Sequence, residues 1–330
     1  MTMKIFQFIN HAEKSLGGAQ KIAHHIHDAF RESEIFGYDC SYKNETKKTS
    51  SLFIFIFHYL FCAIFRRKNV IFLHHRIFLI LNFFFRHKNS YFICHNIFPN
   101  KNFIFKINTS VKYVAVSDEV FDYLGIHCPS ASISKIYNGL DIDKASYKSE
   151  YSDQFKIYYI GRLTDQKGVG YLIEMFKRFS EKKTNIYLKI IGDGEKRSEL
   201  LLRAHGYSNI EFLGKRDYPF RYCIDASVLV IPSLYEGFGL VYYEALEYGH
   251  NVLASDLAVF EKFSEDDCVR FFENGSVGSM QQQLECLYST IVSGVKPIKK
   301  RHRFQSVEVM KKEYQRLVGE QDGKRKRPLI

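Results

Sequence analysis

Two glutamates, Glu236 and Glu244, stand eight positions apart in "SLYEGFGLVYYEAL" (233–246), and two cations, Arg162 and Lys167, share "IGRLTDQKG" (160–168). A carboxylate accepts two hydroxyl hydrogen bonds, so two separated carboxylates can hold two sugars of one elongated ligand. Arg162 and Lys167 lie just before a predicted helix, where its free amides and their own charges address the same anionic oxygens, as in a diphosphate site. Gly237 and Gly239 would let backbone N–H groups approach such a ligand closely. Each feature also has a local explanation. Glu236 fits a capping residue and Glu244 a first-turn acid favoured by the helix dipole. Arg162 and Lys167 fit solvated loop charges. On spacing alone the local explanation of the glutamates prevails.

A glycine-rich stretch, "IIGDGEKRSEL" (190–200), invites a dinucleotide-binding reading that its residues do not support. After Gly192 and Gly194, the third glycine position of GxGxxG holds Arg197, and no acid stands in the expected ribose context.

The elements that must position these residues follow from periodicity. In the first half strands are predicted at 4–10, 70–75, 90–96 and 111–117, with helices at 17–30 and 76–88. In the second half strands are predicted at 156–162, 185–192, 209–214, 227–234 and 251–256, with helices at 168–181, 195–205, 218–224 and 239–248. Such alternation predicts βα units and parallel sheets. The fold class expected is α/β, two Rossmann-like parallel-sheet domains facing a central cleft. Their bounds are residues 1–145 and 156–305, joined by a polar linker at 146–155. A helix at 306–320, with Val307, Met310, Tyr314 and Leu317 on one stripe, is expected to pack back toward the first domain, and 321–330 to form a basic tail. Ligands of open α/β sheets sit beyond the carboxyl ends of the strands. Gly17-Gly18, His74-His75, His95 and Ser117 follow predicted strands of the first half, and Arg162, Gly192 and Glu236 those of the second.

Composition sets the class. The 330 residues suit two domains, and 46% hydrophobic with 25% charged residues excludes broad disorder. Seven scattered cysteines without a CxxC pair argue for a reducing cytoplasm and against a disulfide framework or a zinc site. The start, "MTMKIFQFIN", reads as a strand, and no signal peptide is expected. Net charge is +11, yet no nucleic-acid motif accompanies it. Residues 51–110 hold eight Lys/Arg, no Asp or Glu, and 14 of the 30 phenylalanines. Its longest apolar run, 51–65, is shorter than the roughly 20 residues a membrane span needs. This segment fits adsorption to an anionic membrane surface, and equally a phenylalanine core with a solvated basic rim.

Taken in order, GRLTDQKG (161–168), IGDGE (191–195), IPSLYEGFGLVYYEAL (231–246) and LASD (253–256), preceded by GGAQ (17–20), VAVSDEV (114–120) and IYNGLD (136–141), resemble glycosyltransferase family 4, of the GT-B fold. The resemblance covers nearly the whole chain. It implies transfer of a sugar from a nucleotide-diphosphate donor (UDP or GDP) with retention, without a metal or other cofactor. It implies that Arg162 and Lys167 neutralise the departing diphosphate, that Glu236 holds the donor sugar's hydroxyls and Glu244 the ribose, and that the backbone at Gly237, Phe238, Gly239 and Leu240 assists. Gly17 and Gly18 would bring the first loop to the diphosphate. His95 would stand near the reacting carbon, with His74 or His75 as competitors for that role. Domain closure would exclude water and limit donor hydrolysis.

The expected partners are a nucleotide-sugar donor, a glycan or lipid-linked acceptor, and an anionic membrane surface through residues 51–110, but no nucleic acid. The expected setting is cytoplasmic, peripheral at the inner face of the membrane, in lipopolysaccharide or capsule assembly. The competing reading is a catalytically silent GT-B protein that binds a glycan or a partner; intact Arg162, Lys167, Glu236 and Glu244 weigh against it.

Overall fold

A computed structural model describes residues 4–13, 17–43, 46–49, 52–65, 68–98, 105, 111–142, 152–261, 268–294 and 304–325. The chain divides into two compact units, residues 1–140 with 305–330, and residues 141–304. Residues 146–151 of the expected linker and 326–330 of the expected tail lie outside the described residues.

The first unit runs β1 (Ile5–Phe8), α1 (Gly18–Asp28), β2 (Ser33–Phe36), β3 (Cys40–Lys43), β4 (Thr46–Thr49), α2 (Leu52–Phe65), β5 (Val70–Leu73), α3 (Ile77–Phe85), β6 (Ser90–Cys94), β7 (Lys112–Ala115), α4 (Asp118–His127) and β8 (Ile133–Lys135). Its sheet has the order β4-β3-β2-β1-β5-β6-β7-β8. It is parallel except that β3 pairs antiparallel with both β2 and β4. Strands β1, β5 and β6 are buried along their whole length, as parallel strands covered on both faces must be.

The phenylalanines of α2 fall on two sides. Phe55, Tyr59 and Cys62, at helical spacing, are buried. There Phe8 lies 5.6 Å edge-on from Phe55 and 5.1 Å from Tyr59, and Phe55 lies 5.3 Å from Phe78. Phe57 and Phe65, 65% and 73% exposed, are on the other side. One apolar helix therefore supplies both a core face and an exposed aromatic face.

The second unit runs β9 (Phe155–Ile160), a 3₁₀ turn (Asp165–Lys167), α5 (Val169–Ser180), β10 (Ile186–Ile191), α6 (Arg197–Ala204), β11 (Ile210–Gly214), β12 (Val228–Ile231), α7 (Leu240–Tyr248), β13 (Val252–Ser255), α8 (Ala258–Glu261), β14 (Val269–Phe272) and α9 (Val277–Val292). Its all-parallel sheet has the order β11-β10-β9-β12-β13-β14, so the direction of winding reverses between β9 and β12. Ligands of doubly wound sheets bind outside the carboxyl ends at that reversal. Arg162 and Lys167 follow β9, and Glu236 follows β12.

The helix expected at 218–224 is only a 3₁₀ turn, Pro219–Tyr222. The chain is claimed just beyond it by Asp225, which pairs with Lys156 and accepts from Tyr158 Oη at 2.9 Å.

A last helix, α10 (Val307–Arg325), belongs to the first unit. Its Val307, Met310, Tyr314 and Val318 are buried, with Tyr314 edge-on to Phe72 at 5.8 Å. Leu317, expected on that stripe, is half-buried instead. The helix continues to Arg325, into the stretch expected as a tail.

Candidate active site

In the second unit, two loops leave β9 and β12 side by side and are tied together by their own backbones. Leu234 N donates to Gln166 O at 2.8 Å, and Gln166 Nε2 donates to Tyr235 O at 2.9 Å. Gly168, at φ +65°, closes the 3₁₀ turn, and a Cβ there would sit 1.9 Å from Pro232 O. Only glycine permits both the left-handed backbone and this approach. The stitch places Lys167 against Glu236. The two form an ion pair whose side chains are 19% and 9% exposed, and Ser233 Oγ donates to the same Glu236 oxygen at 2.8 Å. Arg162 is exposed, and its carbonyl accepts from buried Tyr159 Oη at 2.8 Å.

The glycines of "IGDGE" serve this loop rather than a dinucleotide. A Cβ on Gly192 (φ +146°) would meet Gly161 O at 1.8 Å, and one on Gly194 would meet Leu163 O at 2.5 Å. Leu163 N donates to Asp193 O at 2.9 Å and Lys196 N to Leu163 O at 3.0 Å. The β10–α6 loop is thus pressed against the backbone that carries Arg162.

Neither local explanation of the glutamates is realised. The N-cap of α7 is Gly239, with no side-chain cap, and the first turn of α7 has no acid. Glu236 lies before that cap and is committed to Lys167. Glu244, the fifth residue of α7, is buried with 7% exposure. Gly237 is buried, while Phe238, Gly239 and Leu240 are partly exposed. Burying two carboxylates within nine residues is costly without specific partners. In Glu236 those partners are Lys167 and Ser233.

In the first unit, Gly17 caps α1 and Gly18 begins it; Gly17 O accepts from Lys21 N at 3.0 Å. The chain just before them is moored by Asp39, which accepts from Ala12 N at 2.8 Å, Cys40 N at 2.8 Å and Glu13 N at 3.4 Å. Burial works against ionising Asp39, but these amide bonds together outweigh it and hold its pKa below the ordinary 3.8.

His95 follows β6 and is half-buried. It lies edge to edge and nearly coplanar with His74, which follows β5, with centroids 5.2 Å apart and planes 14° apart. His74 Nδ1 and His95 Nε2 are 2.9 Å apart, and His74 Nε2 lies 3.0 Å from Oε1 of fully buried Gln7 on β1. Burial pushes the His95 pKa down to about 4, and burial, then the neighbouring His95, holds His74 well below 6.5. Both rings are neutral near pH 7. His75 is also pushed to about 4, by burial and then by the charge of Arg76, but makes no bond to this pair.

Three participants escaped the reading of the sequence: Gln7, Gln166 and Ser233. Gln7 gave no signal beyond a polar residue inside an apolar strand. Gln166 and Ser233 sit within motifs already singled out, but act through side-chain bonds that spacing does not encode. Among the described residues no group of three or more His, Cys, Asp or Glu could hold a metal ion.

Residues 142–286 match the family described as glycosyl transferases group 1. MJ1059 of Methanocaldococcus jannaschii, an uncharacterized glycosyltransferase, is 38% identical over 113 residues, 33% of this chain and 28% of its own length. WclY of Escherichia coli, an O-antigen biosynthesis glycosyltransferase, is 28% identical over 155 residues, 43% of each chain. These matches span less than half the length of either curated relative. Among solved structures, Anabaena Alr3699/HepE in complex with UDP and glucose superposes with a TM-score of 0.74 at 15% identity, covering 96% of this chain and 100% of its own. The match to glycosyl transferases group 1 covers residues 142–286, less than half of the chain, and the fold of the chain is GT-B.

Proposed function

We propose that this protein is a retaining, metal-independent glycosyltransferase of family 4 type, moving a hexosyl group from a UDP- or GDP-sugar to a glycan or lipid-linked acceptor in surface-polysaccharide assembly. The observation that carries the reading is the Lys167–Glu236 pair at the winding reversal of the second sheet, with exposed Arg162 on the same loop as Lys167. A cation and a carboxylate held in contact suit a ligand whose anionic and hydroxylated parts are themselves adjacent, as diphosphate and sugar are in a nucleotide sugar. The naming of WclY for O-antigen biosynthesis and the UDP and glucose bound by HepE support the choice of pathway class and donor.

In this reading Arg162 and Lys167 neutralise the leaving diphosphate. Charge separates between an oxocarbenium-like sugar and the leaving group as the bond breaks. Fixed cations and the amides of Gly237, Phe238, Gly239 and Leu240 then stabilise the transition state more than the ground state. Glu236 orients the sugar through its hydroxyls and Glu244 binds the ribose. Gly17 and Gly18 are assigned to the diphosphate, and His95 to the reacting carbon.

The membrane part of the reading rests on exposed Phe57, Phe65 and Phe84 within a stretch free of acids. Among the described residues no helix is long and apolar enough to cross a membrane, so adsorption is the mode proposed.

The test is turnover of UDP- and GDP-sugars, with the anomer of the transferred sugar read by NMR and the assay repeated in EDTA. Activity in EDTA with a retained anomer is expected. Absence of any donor turnover, with glycan binding preserved, would sink the enzyme reading.

A further inference from the structure

The carboxyl ends of β1, β5 and β6 hold a hydrogen-bonded line of three side chains, Gln7, His74 and His95, of which only His95 has an assigned role. We propose that Gln7 and His74 are positioning residues that hold His95 as its Nε2–H tautomer, so that the ring presents an unprotonated Nδ1. The directions follow from the atoms. An amide oxygen can only accept, so Gln7 Oε1, 3.0 Å from His74 Nε2, requires the His74 proton on that nitrogen. A neutral imidazole has one N–H, so His74 Nδ1 is then an acceptor. Its partner at 2.9 Å, His95 Nε2, must donate. The single proton of His95 is thereby placed, and its Nδ1 carries a lone pair.

Two further observations fix the placement of the line. Gln7 is fully buried on β1, whose neighbour β5 places Phe72 across from Gln7 two positions before His74, so the start of the line is set by strand register. The nearly coplanar, edge-to-edge placement of the two rings also fixes which edge of His95 meets His74. His95 Nδ1 takes no hydrogen bond among the described residues. What it offers a ligand is therefore an acceptor for a hydroxyl proton, not a donor and not a positive charge.

The inference about Nδ1 as a ligand contact rests on the reading of His95 under Proposed function; the tautomer itself does not. The test is long-range ¹H–¹⁵N NMR of the full chain labelled at histidine, with signals assigned by single substitutions. His95 and His74 are both expected as Nε2–H, with a through-hydrogen-bond nitrogen–nitrogen coupling between His95 Nε2 and His74 Nδ1. His74→Phe should abolish that coupling and the slow exchange of the His95 proton, whereas His74→Gln, which keeps an acceptor, should restore slow exchange. In turnover, His74→Phe should lower kcat about 10- to 100-fold with donor KM little changed, as expected of a misplaced group, and His74→Gln should recover part of it. The proton of His95 found on Nδ1, or a His95 signal indifferent to His74→Phe, overturns the proposal even if donor turnover is normal. The stated tautomer in a wild-type chain without turnover would leave the line standing and remove only the enzyme reading.

Discussion

The two sheets end in opposite electrostatic styles. At the carboxyl edge of the first, the groups that gather are Gln7, His74 and His95, held neutral by burial and by one another. At that edge of the second, opposite charges gather, with Lys167 against Glu236 and exposed Arg162 on the same loop as Lys167. The same parallel architecture supports both because the cost of polarity is met differently. In the first unit three side chains are joined by two hydrogen bonds without ions. In the second, glycines let three loops press together until a cation and a carboxylate become neighbours. A charged edge suits a diphosphate, and a neutral acceptor edge suits hydroxyls.

The largest expected effect tests how tightly the charged edge is built. Gly192→Ala would drive a Cβ to 1.8 Å from Gly161 O at a positive φ. It should cost about 3 kcal/mol or more of stability, read by urea unfolding. A loss within 0.5 kcal/mol, about what a neutral surface change gives, would show that the loops adjust freely.

Next comes the charge itself. Lys167→Ala should lower kcat/KM about 10²- to 10³-fold, the effect of removing one preorganised stabiliser of a developing anion. Unchanged turnover would deny the second edge its assigned chemistry.

The two glutamates should then separate. Glu236→Ala is expected to lower kcat about 100-fold, and Glu244→Ala mainly to weaken donor binding, about tenfold, in calorimetry. Matching, negligible effects would remove both from the site.

On the first unit, the double variant Phe57→Ser, Phe65→Ser should weaken binding to anionic phosphatidylglycerol vesicles about tenfold or more, since burying each ring contributes about 1.5–3 kcal/mol. Its thermal midpoint should hardly move, because both rings are exposed. Undiminished vesicle binding would return the aromatic face to an unassigned surface.

The smallest effect is a pH dependence. The pKa of Asp39 is lowered in the folded chain, so its contribution to stability is complete above its ordinary 3.8 and fades as pH falls through the folded value. The stability gap between wild type and Asp39→Asn should therefore close below pH 3.8. A gap that persists there would mean that the Asp39 bonds do not depend on its charge.

Much of the second unit was legible in the sequence because its strands are mostly apolar and separated by loops that carry glycine. The first unit was harder. Strands β2, β3, β4 and β8 went unassigned, being short and polar: "TKKT" and "CSYK" pair in a hairpin that no alternation announces. Strand β14 and helices α2, α4, α8 and α9 were also not assigned, residues 51–65 of α2 being read only as an apolar run. In the candidate site, charged residues inside glycine-bearing motifs were visible. The neutral partners were not, because a buried glutamine in a strand looks like any polar interruption of an apolar run.

The sequence by itself determined the class of fold, the alternation of elements and the list of side chains able to do chemistry, since periodicity and residue type are local properties. Only the tertiary structure decided which of them touch. Lys167 meets Glu236 across 69 residues of chain and His74 meets His95 across 21, each because sheet order brings two strand ends together. It also decided between two accounts of "SLYEGFGLVYYEAL". Where a helix begins depends on the left-handed turn at Gly239, and that turn puts Glu236 outside the helix and Glu244 beyond its first turn. Contact between residues distant in sequence comes from packing, and no local spacing encodes it.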